Sequence, residues 1–298
     1  MGHRALGMSL FMIGELAQSS SELRSAIALY DLAKHGPLAL VFSQDFKATA
    51  EVYLSLASVL LGDIKAGLDH GGNALAHAEG LRHPHSICYV LPFLAGAHLV
   101  AGMAQTALPL TERTIALSSE YGFPLWSAGG LMLRGWARLD LGDVDQALIE
   151  IRQSVGALEA TGTLVWVQFA RFLLARAMAK TGQTEAALRQ VQQLLNEMGA
   201  TSGRWYQAEV HRLNGELLLQ HGDPPGAEAC FEQAIAIATR QGARVWQLRA
   251  TNALSQLWRE QGRTSELHAR LAPLYSTFDN ELASADLQRA KTLLTEPG

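Results

Sequence analysis

Two histidines flank a proline in the stretch LRHPHS, where His83 and His85 surround Pro84 and His77 and Glu79 come just before. Imidazoles and a carboxylate at short spacing are the donor types that hold zinc, so this segment is where a metal site is tested first. It lacks the rest of such a site. No cysteine or further carboxylate stands at a supporting helical spacing beyond it, and nothing in the segment fixes the orientation of the rings. It is expected to be a plain inter-helix loop, and no metal or other cofactor is expected in the chain. Ser19, Ser20, Ser21 and Glu22 have no nearby histidine to activate a nucleophile and read as a helix start. Asp140, Asp143 and Asp145 cluster as acids do at a helix terminus. There is no GxxxxGK[ST] phosphate loop. The expectation is a chain without catalytic residues of its own.

The elements that carry these residues must come from a sequence of 298 residues, 48% hydrophobic and 17% charged, which has the composition of a globular protein. A net charge of -4 gives no basis for the phosphate attraction on which nucleic-acid binding depends. Cys88 and Cys230 are too few and too isolated for a disulfide framework or a thiolate metal site, and read as reduced, half-buried core residues. No apolar run approaches the roughly 20 residues of a membrane span. No nucleic acid and no membrane are expected as partners, and the chain is expected in the cytoplasm.

A repeat decides the architecture. Gly62, Gly102, Gly142, Gly182, Gly222 and Gly262 are spaced by forty residues, and Gly14 joins the column after an eight-residue insertion in the first connection. Seven residues before these glycines stand Gly7, Ser55, Ala95, Gly135, Ala175, Gly215 and Ser255. Five residues after them come Ser19, Gly67, Ala107, Ala147, Ala187, Ala227 and Leu267. Small side chains at both offsets let two helices approach closely, and the glycine between them supplies the left-handed residue that ends the first helix. Asp63, Asp143 and Asp223 are placed to cap the next helix, Asp143 with Gln146 as a capping box, and Pro224 suits a first helical turn. A second glycine (Gly80, Gly122, Gly162, Gly199 or Gly242) ends each second helix. Apolar residues recur at helical spacing, as in Leu148, Ile151, Val155 and Leu158.

The predicted fold is all-α: a right-handed α-solenoid of about seven antiparallel helix pairs. Residues 1–298 form a single superhelical domain with repeats at 1–35, 46–80, 86–122, 126–162, 165–199, 204–242 and 245–278 and a C-terminal helix at 282–294. Trp126, Trp166, Tyr206 and Trp246, again forty apart and with Trp205 adjacent, are expected to fill the seams between pairs.

The concave face is lined by the first helix of each pair, and counting back from the loop glycines selects the positions that face inward. In the middle repeats these are Tyr89, Met132, Trp136, Phe169 and Phe172, with Arg176 among them. In the last two repeats they are Glu209, Arg212, Glu216, Arg249, Asn252, Gln256 and Arg259. A groove with an apolar half and an arginine-bearing half would grip an extended peptide or helix carrying hydrophobic anchors and a carboxylate. The plainer alternative makes the aromatics core and the arginines a solvated face paired with Glu209 and Glu216. On the groove reading, reversing Arg212 and Arg249 to glutamate is expected to leave the fold intact and weaken partner binding.

Repeat six, HRLNGELLLQHGDPPGAEACFEQAIAIA, resembles the tetratricopeptide repeat, with Gly215, Gly222, Ala227, Phe231 and Ala234 at the family's positions. GHRALG, HPHS, GFPLW, GRWYQAEVHRLNGELLL, AEACFEQAIAIATRQGARVWQLRA and LAPLYSTFD further resemble the C-terminal repeat region of large bacterial signalling proteins. In these a class III adenylate or guanylate cyclase domain, or a DNA-binding domain, precedes a signal-transduction ATPase. That resemblance implies a regulatory, non-catalytic module binding a protein, a peptide or a neighbouring ATPase or cyclase domain. The alternative is a sensor whose aromatic stretch around Trp136 and Phe169 encloses a small effector.

Overall fold

The computed structural model describes residues 1–198, 203–279 and 284–296, and all regular structure among them is helical. Seven antiparallel pairs follow one another: α1 (Gly2–Ile13) with α2 (Leu16–Ala28), α5 (Phe46–Leu60) with α6 (Ile64–Gly80), α7 (Pro84–Val100) with α8 (Ala104–Tyr121), α9 (Pro124–Leu141) with α10 (Val144–Ala160), α11 (Leu164–Lys180) with α12 (Thr184–Met198), α13 (Gln207–Gln220) with α14 (Pro224–Gln241), and α15 (Arg244–Glu260) with α16 (Thr264–Tyr275). A last helix, α17 (Ala285–Thr295), packs on α15. The insertion in the first connection forms two short helices, α3 (Leu32–His35) and α4 (Leu38–Phe42). Position 199 and the expected start of the last helix at Leu282 lie outside the described residues. No helix among them is long and apolar enough to cross a membrane.

The small-residue columns sit where the two helices of a pair meet. A Cβ on Gly135 would come 2.6 Å from Ile151 Cγ1, so α9 and α10 can only approach as they do with hydrogen at that position. The loop-glycine column is uniformly left-handed, with φ between 66° and 95° for the positive-φ glycines among the described residues. Local details depart from the sequence reading. Gly80 is the last residue of α6, and Arg82 at φ 51° takes the left-handed place. Asp63 and Asp223 cap their helices through Ala66 N and Gly226 N, but Asp143 makes no side-chain cap, and Gln146 turns to Glu150 instead of back to the chain. Ser19, Ser20 and Ser21 lie inside α2, where Ser19 Oγ donates to Gly7 O at 2.8 Å, so they do not begin a helix.

The superhelix returns on itself. Gly14, at the end of α1, lies against Gln241, and Gly62 lies against Arg244. Gly102, after α7, meets Ser284, Ala285 and Asp286 at the start of α17, and Ala285 N donates to Gly102 O at 3.4 Å. Trp205 spans the axis, with its ring 5.4 Å from Phe11 and 5.1 Å from Phe169. The first repeats therefore pack sideways on the last ones, and aromatic rings fill part of the axis. Trp126, Tyr206 and Trp246 are buried, and Trp166 is half-buried, with its ring edge-on to Phe93.

Two outcomes follow from this packing. Replacing Gly142 (φ 91°, nothing near its Cβ position) with alanine should cost about 1–2 kcal/mol, the left-handed penalty alone. Gly102→Ala should cost more and expose α17 to proteolysis, because its Cβ would also press to 3.2 Å from Ala285 N; equal melting shifts for the two variants would contradict the ring closure. Burial also pushes His98 and His211 below the ordinary histidine range. The unfolded chain then binds protons that the folded chain refuses, so their stabilising contribution is whole above about pH 6.5 and declines as pH falls below it. Melting temperature against pH should drop on the acid side, and His98→Leu should flatten that drop.

Candidate functional site

The residues expected to line a groove divide in the structure into two groups. The aromatic half is not an open face. Met132 is fully buried, Tyr89 stacks on Phe93 with ring centroids 5.0 Å apart, and Phe172 packs on Tyr206 at 5.6 Å. Tyr89, Met132 and Phe172 are core. Trp136 and Phe169, 5.6 Å apart, line a small apolar space at the axis.

The polar half surrounds a cavity of about 830 Å³, bounded by the ends of α9 and α11, by α13 and α15, and by the start of α17. Arg176, Arg212, Glu216, Arg249, Asn252 and Gln256 line it, joined by Asp140, Lys180, Asp286 and Arg289. Arg259 lies outside the lining and pairs with Gln256 and Glu296. Glu209 lies behind the wall, 2% exposed.

A chain of ion pairs knits this wall. Arg212 Nε donates to Glu209 Oε1 at 2.8 Å and its Nη1 to Glu216. Arg249 reaches Glu209 at 3.3 Å, binds Asp286 side-on through Nε and Nη2, and donates from Nη2 to Val100 O at 3.0 Å. Burial alone would raise the Glu209 carboxyl, but the two guanidiniums beside it more than offset that and hold it below the usual carboxylate range. The same acids push Arg212 and Arg249 up against the opposing effect of burial. Arg176 pairs with Asp140 at 2.9 Å, and its guanidinium lies 5.7 Å from the Trp136 ring, whose Nε1 donates to Asp140.

Two atoms in this wall have no partner. Arg176 Nη1 and Asn252 Oδ1 are both buried and unpaired, although Asn252 Nδ2 donates to Asp286 O at 2.9 Å. Both residues line the cavity, while these two atoms themselves are covered by neighbouring groups. Lys180 and Arg289 stand exposed at the rim, Arg289 bonded to Gln256.

These contacts overturn one expectation. Arg212 and Arg249 are neither a solvated face nor free to be reversed, since glutamates there would stand beside buried Glu209. Asp140, expected only to follow the charge bias of a helix end, joins the site. Sequence reasoning missed Asp286, Lys180 and Arg289 because each lies outside the inward-facing positions counted from the repeat glycines.

The histidine segment is built differently from a ligand set. Pro84 opens α7, so His85 stands in its first turn. His77 Nε2 meets Asp45 Oδ1 at 3.0 Å, His83 Nδ1 meets Ser86 Oγ at 2.8 Å, and Trp126 Nε1 donates to His85 Nε2 at 3.1 Å, while Glu79 pairs with Arg113. Among the described residues no group of three histidine, cysteine or acidic side chains converges on one point. Cys88 is buried, and Cys230 Sγ accepts from Asn214.

No family model matches this sequence, and no curated protein matches it. Solved structures do. The apo form of RapI aligns with a TM-score of 0.58 at 14% identity, covering 98% of this chain and 93% of that one. The Rap conjugation gene regulator of the plasmid pLS20, in complex with the Phr* peptide, gives 0.56 at 10% identity over 98% and 94% of the two chains. A tetratricopeptide repeat protein from Parabacteroides merdae ATCC 43184 gives 0.52 at 16% identity over 98% and 96%. The fold is that of a tetratricopeptide-like α-solenoid.

Removing one partner of the buried pairs should be severe. Arg249→Ala is expected to cost about 3–5 kcal/mol, because it strands Asp286, leaves buried Glu209 with Arg212 as its remaining cation and releases the Val100 carbonyl. Chemical denaturation of Arg249→Ala beside Arg259→Ala, whose polar partners among the described residues are Gln256 and Glu296, checks this; similar losses in the two would refute the clasp.

Proposed function

We propose that this chain is a non-catalytic regulatory module that binds an extended peptide or a partner's peptide segment in the polar axial cavity. The observation that carries the reading is the cavity itself: about 830 Å³, within the range of ligand sites, and lined by Arg176, Lys180, Asn252, Gln256 and Arg289. Asn252 and Gln256 can exchange hydrogen bonds with a peptide backbone, and an acidic side chain or terminal carboxylate meets the rim cations Lys180 and Arg289. Support by analogy of fold comes from a structural neighbour whose described state is a complex with a peptide.

The wider setting we infer is the regulatory C-terminal part of a cyclase-type or ATPase-type bacterial signalling protein, acting in the cytoplasm on a neighbouring domain or a separate protein. That reading rests on the sequence phrases that resemble such proteins. The sensor alternative, an effector enclosed by the aromatic stretch, meets a limit of size, because the space beside Trp136 and Phe169 is about 80 Å³. Drug-sized ligands fill pockets of about 300–1,000 Å³.

The test is selection from a pooled library of short peptides with free C-termini, followed by calorimetry on the strongest binder. Lys180→Glu with Arg289→Glu should leave the melting curve unchanged, since both side chains are exposed, and weaken binding of acidic peptides by about tenfold or more. Enrichment of no peptide, or equal affinity in the double variant, would overturn the reading.

A further inference from the structure

The axis holds a second space that a peptide in the polar cavity does not use. Its wall includes Tyr53, Phe93, Trp136, Trp166, Phe169 and Trp205, drawn from four of the seven helix pairs and the turn before α13, and it encloses about 80 Å³. All of its lining residues are apolar or aromatic. An unfilled apolar void forfeits dispersion contacts and destabilises a fold, so a fold that keeps one where filling is easy calls for a reason.

Filling here is easy. Gly96 lines the void from the interior of α7, where glycine weakens a helix relative to alanine, and its φ is not in the left-handed region. A Cβ on Gly96 would find one heavy atom within 4 Å, Leu56 Cδ2 at 3.9 Å. Gly135 is the contrast, since its missing side chain is required by a neighbouring helix at 2.6 Å. At Gly96 the missing side chain serves only the empty space. Access is also present: Val165 lines the void and is 43% exposed, beside Leu164 at 73%.

We propose that this void is a binding site for an uncharged, branched aliphatic group of isobutyl size. An apolar cavity of about 150 Å³ takes benzene, so roughly half that volume takes about three or four carbons. A charged group would find no opposite charge in the lining, whose only polar side-chain groups are the Tyr53 hydroxyl and the indole N–H groups, and is excluded by its desolvation cost. The group is either a free small molecule or the side chain of a larger ligand. The proposal is independent of the peptide reading of the polar cavity.

The test uses the full chain and chloroform, which is close to isobutane in shape and quenches indole fluorescence on contact. Trp136, Trp166 and Trp205 stand in the wall to report it. The expected result is a saturable quenching component in the wild type that is lost in Gly96→Val, with the helical circular dichroism and cooperative melting retained. Should that variant not fold, Gly96→Ala, which clashes with nothing, should raise the melting temperature and weaken the saturable component several-fold. Quenching that is linear in chloroform, or equally saturable in wild type and Gly96 variants, overturns the site. Displacement of chloroform by N-acetyl-leucinamide supports the site with a side chain as occupant; displacement by isobutane alone supports it with a free molecule.

Discussion

The guanidinium of Arg249 joins three parts of the chain that no local rule brings together. It binds the carboxylate of Asp286 at the start of the last helix, the buried carboxylate of Glu209 one repeat earlier, and the carbonyl of Val100 at the end of α7, 149 residues away. A solenoid of helix pairs has only nearest-neighbour contacts by default, and its two ends are free to move apart. This clasp, with Gly102 packed against Ala285 beside it, removes that freedom. Everything about the axis depends on it: the apolar void is enclosed because early and late repeats face each other, and the polar cavity has a wall on the α17 side because Asp286 is held there.

The clasp also sets how charge is used. Glu209 is buried with two arginines against it, an arrangement whose desolvation cost is large and whose value lies in fixing register as much as in net stability. Arg212 and Arg249 are committed to that task. What remains for a ligand is the rim cations Lys180 and Arg289 and the amides of the lining, so the cavity's recognition chemistry is narrower than its count of arginines suggests.

Much of the fold was legible because the repeat is periodic. A forty-residue column of glycines and two columns of small residues gave the helix pairs and their turns, and the aromatic column gave the seams. Part of the clasp was legible by the same token, since Glu209 and Arg249 are forty residues apart and occupy the same repeat position with opposite charge. The closure was not. Val100 contributes a backbone carbonyl, which has no signature in a sequence, and Asp286 lies in a helix outside the repeat. Of the positions counted as inward-facing, Trp136, Phe169, Arg176, Arg212, Glu216, Arg249, Asn252 and Gln256 line the two axial spaces, but whether an axis is open or filled depends on superhelical pitch, which accumulates from small rotations that side-chain identity does not report. Tyr89, Met132 and Phe172 therefore read equally well as groove or as core, and burial decides for core.

Filling part of the axis with aromatic rings while leaving one glycine-faced gap has a consequence for coupling. The layer of Trp136, Asp140 and Arg176 separates the gap from the polar cavity: Trp136 faces the first, Arg176 faces the second, and Asp140 bonds both. A group entering the gap would lie against Trp136, whose indole N–H shares the Asp140 carboxylate with Arg176. If both proposals hold, this layer is the shared element through which one occupant reaches the other, with a sign set by whether the first tightens or loosens the Asp140–Arg176 pair.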